Sequence, residues 1–441
     1  MTKDEIFKAL VGVLFLGCAS LVTAEDSPGE VPGYKVAKLD EIKQQFESYY
    51  MDGRIPNYAF GLYSNETLLY SAVNGRTSIE SGSLVDLDTI YWMASMTKPV
   101  VSAAVMKLVD EGRLQLDDPL SKYFPQFSDM LVAPEGNYDN ALEEARTPVT
   151  LRHLISHTSG FTYGPNVTGV GDVAEQYDEF SVMNCRAGGD KSLAEHMEIL
   201  SQLPLIAHPG EAWNYSVSID VLGAVIEKVV GIKLDSYLEK EFFEPLAMQN
   251  SAFYVPQAKK SITSRMYTAL DAANIEDSGS GDDINWKIEE HALWKPLFDS
   301  EAPDPEQIPC ASGGGGLWTS VNDYGRFMQM ILNGGVMDGV RVMSENAANS
   351  MLEDQTQQLI PEAFLTAFGN DVSSFMKFTA GFGAKMIDEV NVDYYFWGGY
   401  ANTFFWMDKA GNNVGVFATH LAPSEYNVSD SIEEIVDQAR N

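Results

Sequence analysis

Strand-patterned segments stand at both ends of this 441-residue chain, with helix-patterned segments between them. Near the start, "NYAFGLYSNETLLYSAVNG" (57–75) holds two apolar and aromatic runs around Ser64 and Asn65, which reads as a hairpin. Near the end, "TAGFGAKMI", "VDYYFWGGY", "NTFFWMD" and "NVGVFATHL" read as further strands ahead of a last helical stretch, "SIEEIVDQAR". The arrangement predicts an α/β fold: one antiparallel sheet built from the N- and C-terminal segments, flanked by helices, with a mostly helical subdomain inserted. The expected bounds are about 38–120 and 310–441 for the α/β part and about 121–309 for the insertion, within a single domain over 25–441.

Local signals fill in this frame. "KLDEIKQQFESYYMDG" (38–53) is an amphipathic helix stopped by Gly53, and a second helix of small and aliphatic residues runs from "YWMASMTKPV" to about Glu111, ahead of Gly112. Thr150 is placed to cap the helix in "TLRHLISHTSG", and Gly231 closes "SIDVLGAVIEKVVG". Residues 271–309 show no steady period and read as a long loop, either a lid or an insertion. After the glycines Gly313 to Gly316, a short strand leads to Ser320 as an N-cap with Asp323 in the capping-box position, and that helix ends at Gly334 and Gly335.

Composition bounds the class of protein. The chain is 45% hydrophobic and 21% charged, ordinary for a globular core. Its 29 Lys and Arg face 63 Asp and Glu, and the formal charge of −34 argues against nucleic acid or an anionic membrane surface as a partner. Such a charge reads as a solubility adaptation rather than a part of any reaction. Residues 9–24 are apolar, too short to span a bilayer comfortably, and end in Val22-Thr23-Ala24, which predicts a signal peptide over 1–24 and export to the periplasm or medium. A lipoprotein site at Cys18 is the lesser alternative, because Phe15 and Leu16 suit it poorly. Beyond such a leader remain Cys185 and Cys310, expected to be buried thiols rather than a bridge.

The chemistry concentrates in "YWMASMTKPV". Ser95 and Lys98 are three apart and share a helix face, while Pro99 belongs to a first turn, so Ser95 sits at or just before the helix N-terminus. There, unpaired backbone N–H groups and the positive end of the helix dipole stabilise developing negative charge. An amine one turn on can take the hydroxyl's proton. An isolated Ser-x-x-Lys is more often a capped helix start with a solvated lysine.

Here the motif is not isolated. Together with "EGRLQLDDPLSKYFPQF", "VTLRHLISHTSGF", "HPGEAWNYSVSIDVLGAVIEKVVG", "SGGGGLWTSVNDYGRFMQMILNGG" and "FWGGYANTFFWMD", it resembles, in order, the serine β-lactamase-like family over nearly all of residues 38–435. That family includes class C β-lactamases, penicillin-binding DD-peptidases and family VIII carboxylesterases. The resemblance implies that Ser95 is the acylated nucleophile, Lys98 its base or proton relay, and Tyr215 the tyrosine that shares protons with both. Phenol and amine titrate in the same range, so the pair is expected to act as one coupled unit. Backbone N–H groups of Ser95 and Tyr400 are implied to form the oxyanion hole. Where lactamases usually carry Asn two residues after the tyrosine this chain has Val217, and Trp397-Gly398-Gly399 stands where relatives carry Lys-Thr-Gly. Both changes replace polar recognition with apolar surface and resemble family VIII esterases. The expected substrate is therefore a neutral small-molecule ester, with lactamase, DD-peptidase, amide hydrolase and acyltransferase as alternatives.

Other motifs carry less. His153 and His157 have the i, i+4 spacing of a zinc pair but lack the intervening glutamate and a third ligand, so no metal is expected and hydrogen-bonded structural roles are. His420 is likewise assigned to structure. Gly313 to Gly316 precede no Gly-Lys-Ser/Thr and are expected to pack backbone closely behind the site. No Gly-x-Ser-x-Gly elbow occurs, and no cofactor is called for. A binding homologue that had lost catalysis would have no physical need of Ser95, Lys98 and Tyr215 together. The oligomeric state is not written in the sequence.

Overall fold

The two ends of the chain meet in one sheet. A computed structural model describes residues 34–167, 169–183, 185, 190–270, 284–301, 308–356, 376–388, 390–423, 428, 436, 438 and 439. The expected leader with Cys18, and most of the last helical stretch, lie outside the described residues. Seven strands make the sheet: β1 (Asn57–Ser64), β2 (Thr67–Gly75), β3 (Met376–Phe378), β4 (Gly383–Met386), β5 (Val392–Gly399), β6 (Thr403–Asp408) and β7 (Asn413–Ala418). Their order is β3-β4-β5-β6-β7-β1-β2, and each neighbouring pair is antiparallel. The termini join where Ala59 faces Ala418 and Phe60 faces Phe417.

Period-two alternation explains why β1 is buried along its whole length. Tyr58, Phe60 and Leu62 point to one face, onto Leu39, Ile42 and Phe46 of helix α1 (Val36–Met51). Ala59 and Tyr63 point to the other, into the main core. That core runs without a break from Phe405 and Val416 of the sheet, through helix α2 (Thr97–Asp110), to Val221, Leu222 and Val225 of helix α3 (Ser218–Val230) in the inserted part. Phe46 is fully buried and stacks on Phe417 at 4.5 Å. Truncating such a ring to alanine costs about 3–5 kcal/mol.

Several local signals are realised. Thr150 accepts the His153 N–H at 3.2 Å while His153 Nδ1 accepts the Thr150 N–H at 3.2 Å, closing a capping box. Gly231, at φ +79°, ends α3 in the left-handed region. Ser320 accepts the Asp323 N–H at 3.1 Å and starts helix α4 (Val321–Leu332). The Asp323 carboxylate does not complete a box, because it is spent on the Asn250 N–H at 2.6 Å and the Ser251 hydroxyl at 3.0 Å. The hairpin turn falls on Asn65 and Glu66, one residue later than expected.

Two expectations are corrected. The described residues of 271–309 are not a plain loop: Ile288–Glu290 pairs with Tyr267–Ala269, and Lys295–Asp299 is a short helix, while 271–283 and 302–307 lie outside the described residues. Elements of three to five residues are too short to show a period. Cys185 and Cys310 are not separate thiols but a disulfide, with Cα atoms 5.2 Å apart across a separation of 125 residues. Distance along the chain said nothing about their meeting, which tertiary packing decides.

Candidate active site

Ser95 is presented by a strained turn. The strand Ile90–Trp92 pairs with Trp318–Ser320, and the Met93 N–H then donates to Leu317 O at 2.9 Å. Ala94 adopts φ +45°, costly for any residue with a Cβ, and leads into the single 3-10 turn Ala94–Met96 that carries Ser95 ahead of α2. Thr97 holds this geometry: its hydroxyl donates to Ala94 O at 2.7 Å and accepts the Leu317 N–H at 2.9 Å. His420 fixes the approach from the other side. Its Nε2 accepts the Trp92 N–H at 2.5 Å and its Nδ1–H donates to Ser264 O at 2.8 Å, and burial lowers its pKa to about 4. The structural role expected of it is the one it has.

Lys98 follows one turn later and is 1% exposed. Its Nζ donates to Ser95 Oγ at 3.2 Å and to Gly314 O at 2.7 Å. Tyr215, just before α3, donates its Oη–H to Ser95 Oγ at 2.7 Å, and the Lys98 Nζ stands 4.5 Å from the Tyr215 ring centroid. The three residues singled out in the sequence are thus in mutual contact.

A buried ammonium needs partners, since desolvation of an unpaired charge costs several kcal/mol. Residues that the sequence reading missed supply them. Asp220, 2% exposed on α3, accepts the Ser312 hydroxyl at 2.6 Å and the Gly314 N–H at 2.9 Å. Burial raises its carboxyl, opposed by those two hydrogen bonds and by the Lys98 charge. The Gly314 peptide is therefore held at both ends, N–H to Asp220 and C=O to Lys98. A Cβ on Gly314 would lie 2.2 Å from Asp220 Oδ2, and one on Gly313 2.6 Å from Ile219 O, so the glycine run is the close backbone packing expected of it. Tyr163 lies against the same group, and burial, then the charges of Tyr215 and Asp220, keep its phenol protonated. His157 accepts the Ser216 N–H at 3.2 Å and stays neutral because burial, then the Lys98 charge, lowers its pKa. One signal for Asp220 was present: an acid inside the apolar helix "SIDVLGAVI" needs an internal partner.

The end of β5 closes the fourth side. The Thr403 hydroxyl donates to Met93 O at 3.2 Å, and a Cβ on Gly399 would come within 2.3 Å of that oxygen. Only glycine lets this strand approach the backbone two residues ahead of Ser95. Tyr400, 46% exposed, follows in a turn closed by the Asn402 N–H on Gly399 O at 3.1 Å. Gly398 and Gly399 are half-buried. Trp397 and Val217, read as substrate-facing, are each only 1% exposed. Trp397 packs against Tyr215 and Phe378, with centroids 5.7 and 5.3 Å apart, and so supports the tyrosine from beneath. The assembly offers one hydroxyl touched by two proton-transfer groups, the geometry of an activated nucleophile.

Comparison with known proteins agrees with this fold. The Beta-lactamase family model matches residues 42–438, and the chain belongs to that family. Protein Rv1367c of Mycobacterium tuberculosis (strain ATCC 25618 / H37Rv) is 31% identical over 309 residues, covering 69% of this chain and 70% of its own. Esterase EstB of Burkholderia gladioli is 29% identical over 296 residues, covering 67% and 69%. Other relatives bear the names acyltransferase and putative D-alanyl-D-alanine carboxypeptidase, at 27% identity each. Among solved structures, EstCE1, a hydrolase with promiscuous acyltransferase activity, superposes with a TM-score of 0.70 at 20% identity over 92% of this chain and 99% of its own. The fold is that of the serine β-lactamase-like hydrolases.

Proposed function

We propose that the protein is an exported serine carboxylesterase that cleaves neutral small-molecule esters through an acyl-enzyme on Ser95. The observation that carries this reading is the contact of Ser95 Oγ with Tyr215 Oη at 2.7 Å and Lys98 Nζ at 3.2 Å. With either partner deprotonated, the serine hydroxyl gives up its proton as its oxygen attacks the ester carbonyl. The backbone N–H groups of Ser95 and Tyr400 receive the oxyanion, and the same proton returns to the leaving alcohol. Water, activated by the Tyr215–Lys98 pair, then hydrolyses the acyl-enzyme. No metal or cofactor enters the scheme.

Esters are favoured over lactams because a lactamase holds its substrate's carboxylate with a cation, a charge-assisted hydrogen bond of about 1.5–3 kcal/mol. Here Trp397 stands in the segment where such a lysine is expected, and it is buried against Tyr215. The esterase named among the relatives supports the same choice. Short-chain p-nitrophenyl esters are expected to give a kcat/KM about ten- to a hundred-fold or more above that for a chromogenic cephalosporin, the scale of the lost contact. A wild type that prefers the cephalosporin would overturn the substrate assignment.

A further inference from the structure

The segment that partners Lys98 is fastened at one end by a covalent bond. From Cys310 the chain passes through Ser312 and Gly314, bound to Asp220, then Gly315, whose carbonyl accepts the Trp92 indole N–H at 2.5 Å, to Leu317, which joins Met93 and Thr97. Beyond Cys310, these hydrogen bonds run to the Ser95 turn, its approach and Asp220 beneath the site. Cys310 itself is 4% exposed and bonded to Cys185, with a His196 ring nitrogen within 4.8 Å of both sulfurs. His196 Nδ1 accepts the Met183 N–H at 3.2 Å, so the loop that carries Cys185 is itself pinned to the helix Leu193–Leu200. The disulfide is thus the link from that helix to the strap, two residues before Ser312 and four before the carbonyl that holds Lys98.

We propose that the Cys185–Cys310 disulfide positions Lys98 by tensioning the strap 310–317, which makes turnover sensitive to reduction. The proposal rests on the reading of Ser95 and Lys98 as the acylating pair. Two electrons and two protons from a dithiol break the S–S bond, leaving thiols at Cys185 and Cys310 and an internal disulfide on the reductant. The freed strap no longer fixes the Gly314 peptide, and the Lys98 ammonium nitrogen loses a defined distance to Ser95. The strap's described bonds reach the proton-transfer lysine and Asp220, so the loss is expected to fall on kcat.

The test compares the oxidised wild type, the same protein after dithiothreitol, a reoxidised sample, and the Cys185→Ser/Cys310→Ser double variant, each checked for intact fold by circular dichroism. Reduction is expected to lower kcat for a p-nitrophenyl ester by about ten-fold or more, the scale of a misplaced catalytic group, with KM held within about three-fold. Reoxidation should restore it. The double variant should match the reduced enzyme and ignore dithiothreitol. A reduced, folded wild type that keeps kcat within about two-fold overturns the proposal, as does a loss that merely follows the unfolded fraction. An oxidised wild type that turns over no ester overturns the esterase reading itself, and the positioning role argued from it.

Discussion

At the scale of single residues, the proposed mechanism makes Ser95, Lys98 and Tyr215 a shared-proton device. Lys98 and Tyr215 both touch Ser95 Oγ, and the lysine nitrogen lies over the tyrosine ring at 4.5 Å, so on that mechanism removal of either is expected to disable the other. Lys98→Ala and Tyr215→Phe are each expected to lower the acylation rate at least about a hundred-fold, the usual scale for a positioned proton-transfer group. The double variant should be little worse than either single one, as stopped-flow burst kinetics would show. Multiplying losses would mean two independent groups. All three residues were legible in the sequence because their motifs fix them, whereas Asp220, Ser312 and Tyr163 were not. Asp220 reaches the Gly314 N–H, Ser312 donates to Asp220 and Tyr163 packs against Tyr215, and nothing in the order of residues tells which group a buried side chain will reach.

At the scale of elements, what could be read was whatever depends on neighbours in the chain. The cap at Thr150, the stop at Gly231 and the β1–β2 hairpin follow from local stereochemistry and were anticipated. The left-handed Ala94, the short ribbon Tyr267–Ala269 with Ile288–Glu290 and the disulfide follow from contacts between distant segments, and were not. Trp397 shows the limit of motif reasoning: its place on β5 was right, but its face turned out to be spent on Tyr215 and Phe378. The approach of β5 to the Ser95 turn gives a prediction at this scale. Gly399→Ala puts a methyl 2.3 Å from Met93 O and 2.2 Å from Thr403 Oγ1, so the strand must back away. The expected result is a destabilisation of about 1–3 kcal/mol in denaturant unfolding, with kcat/KM down at least about ten-fold. Full activity would show that the proposed oxyanion role of the Tyr400 turn does not depend on that approach.

At the scale of the whole molecule, a sheet closed from both termini and a core continuous with the helical insertion place Ser95 at their junction. The surface adds a separate consequence. A formal charge of −34 repels itself most at low ionic strength, and exposed ion pairs such as Lys191 with Asp190 offset little of it. The melting temperature should rise as salt goes from about 10 mM to about 0.5 M, where the Debye length falls below about 10 Å. A flat dependence would mean the charges are locally balanced. The account as a whole stands on one covalent event. Intact-protein mass spectrometry after treatment with a fluorophosphonate, followed by peptide mapping, should show a single adduct on Ser95, absent from a folded Ser95→Ala variant that has lost esterase activity. An unmodified Ser95 in an enzyme that still hydrolyses esters, or an active Ser95→Ala variant, would contradict it.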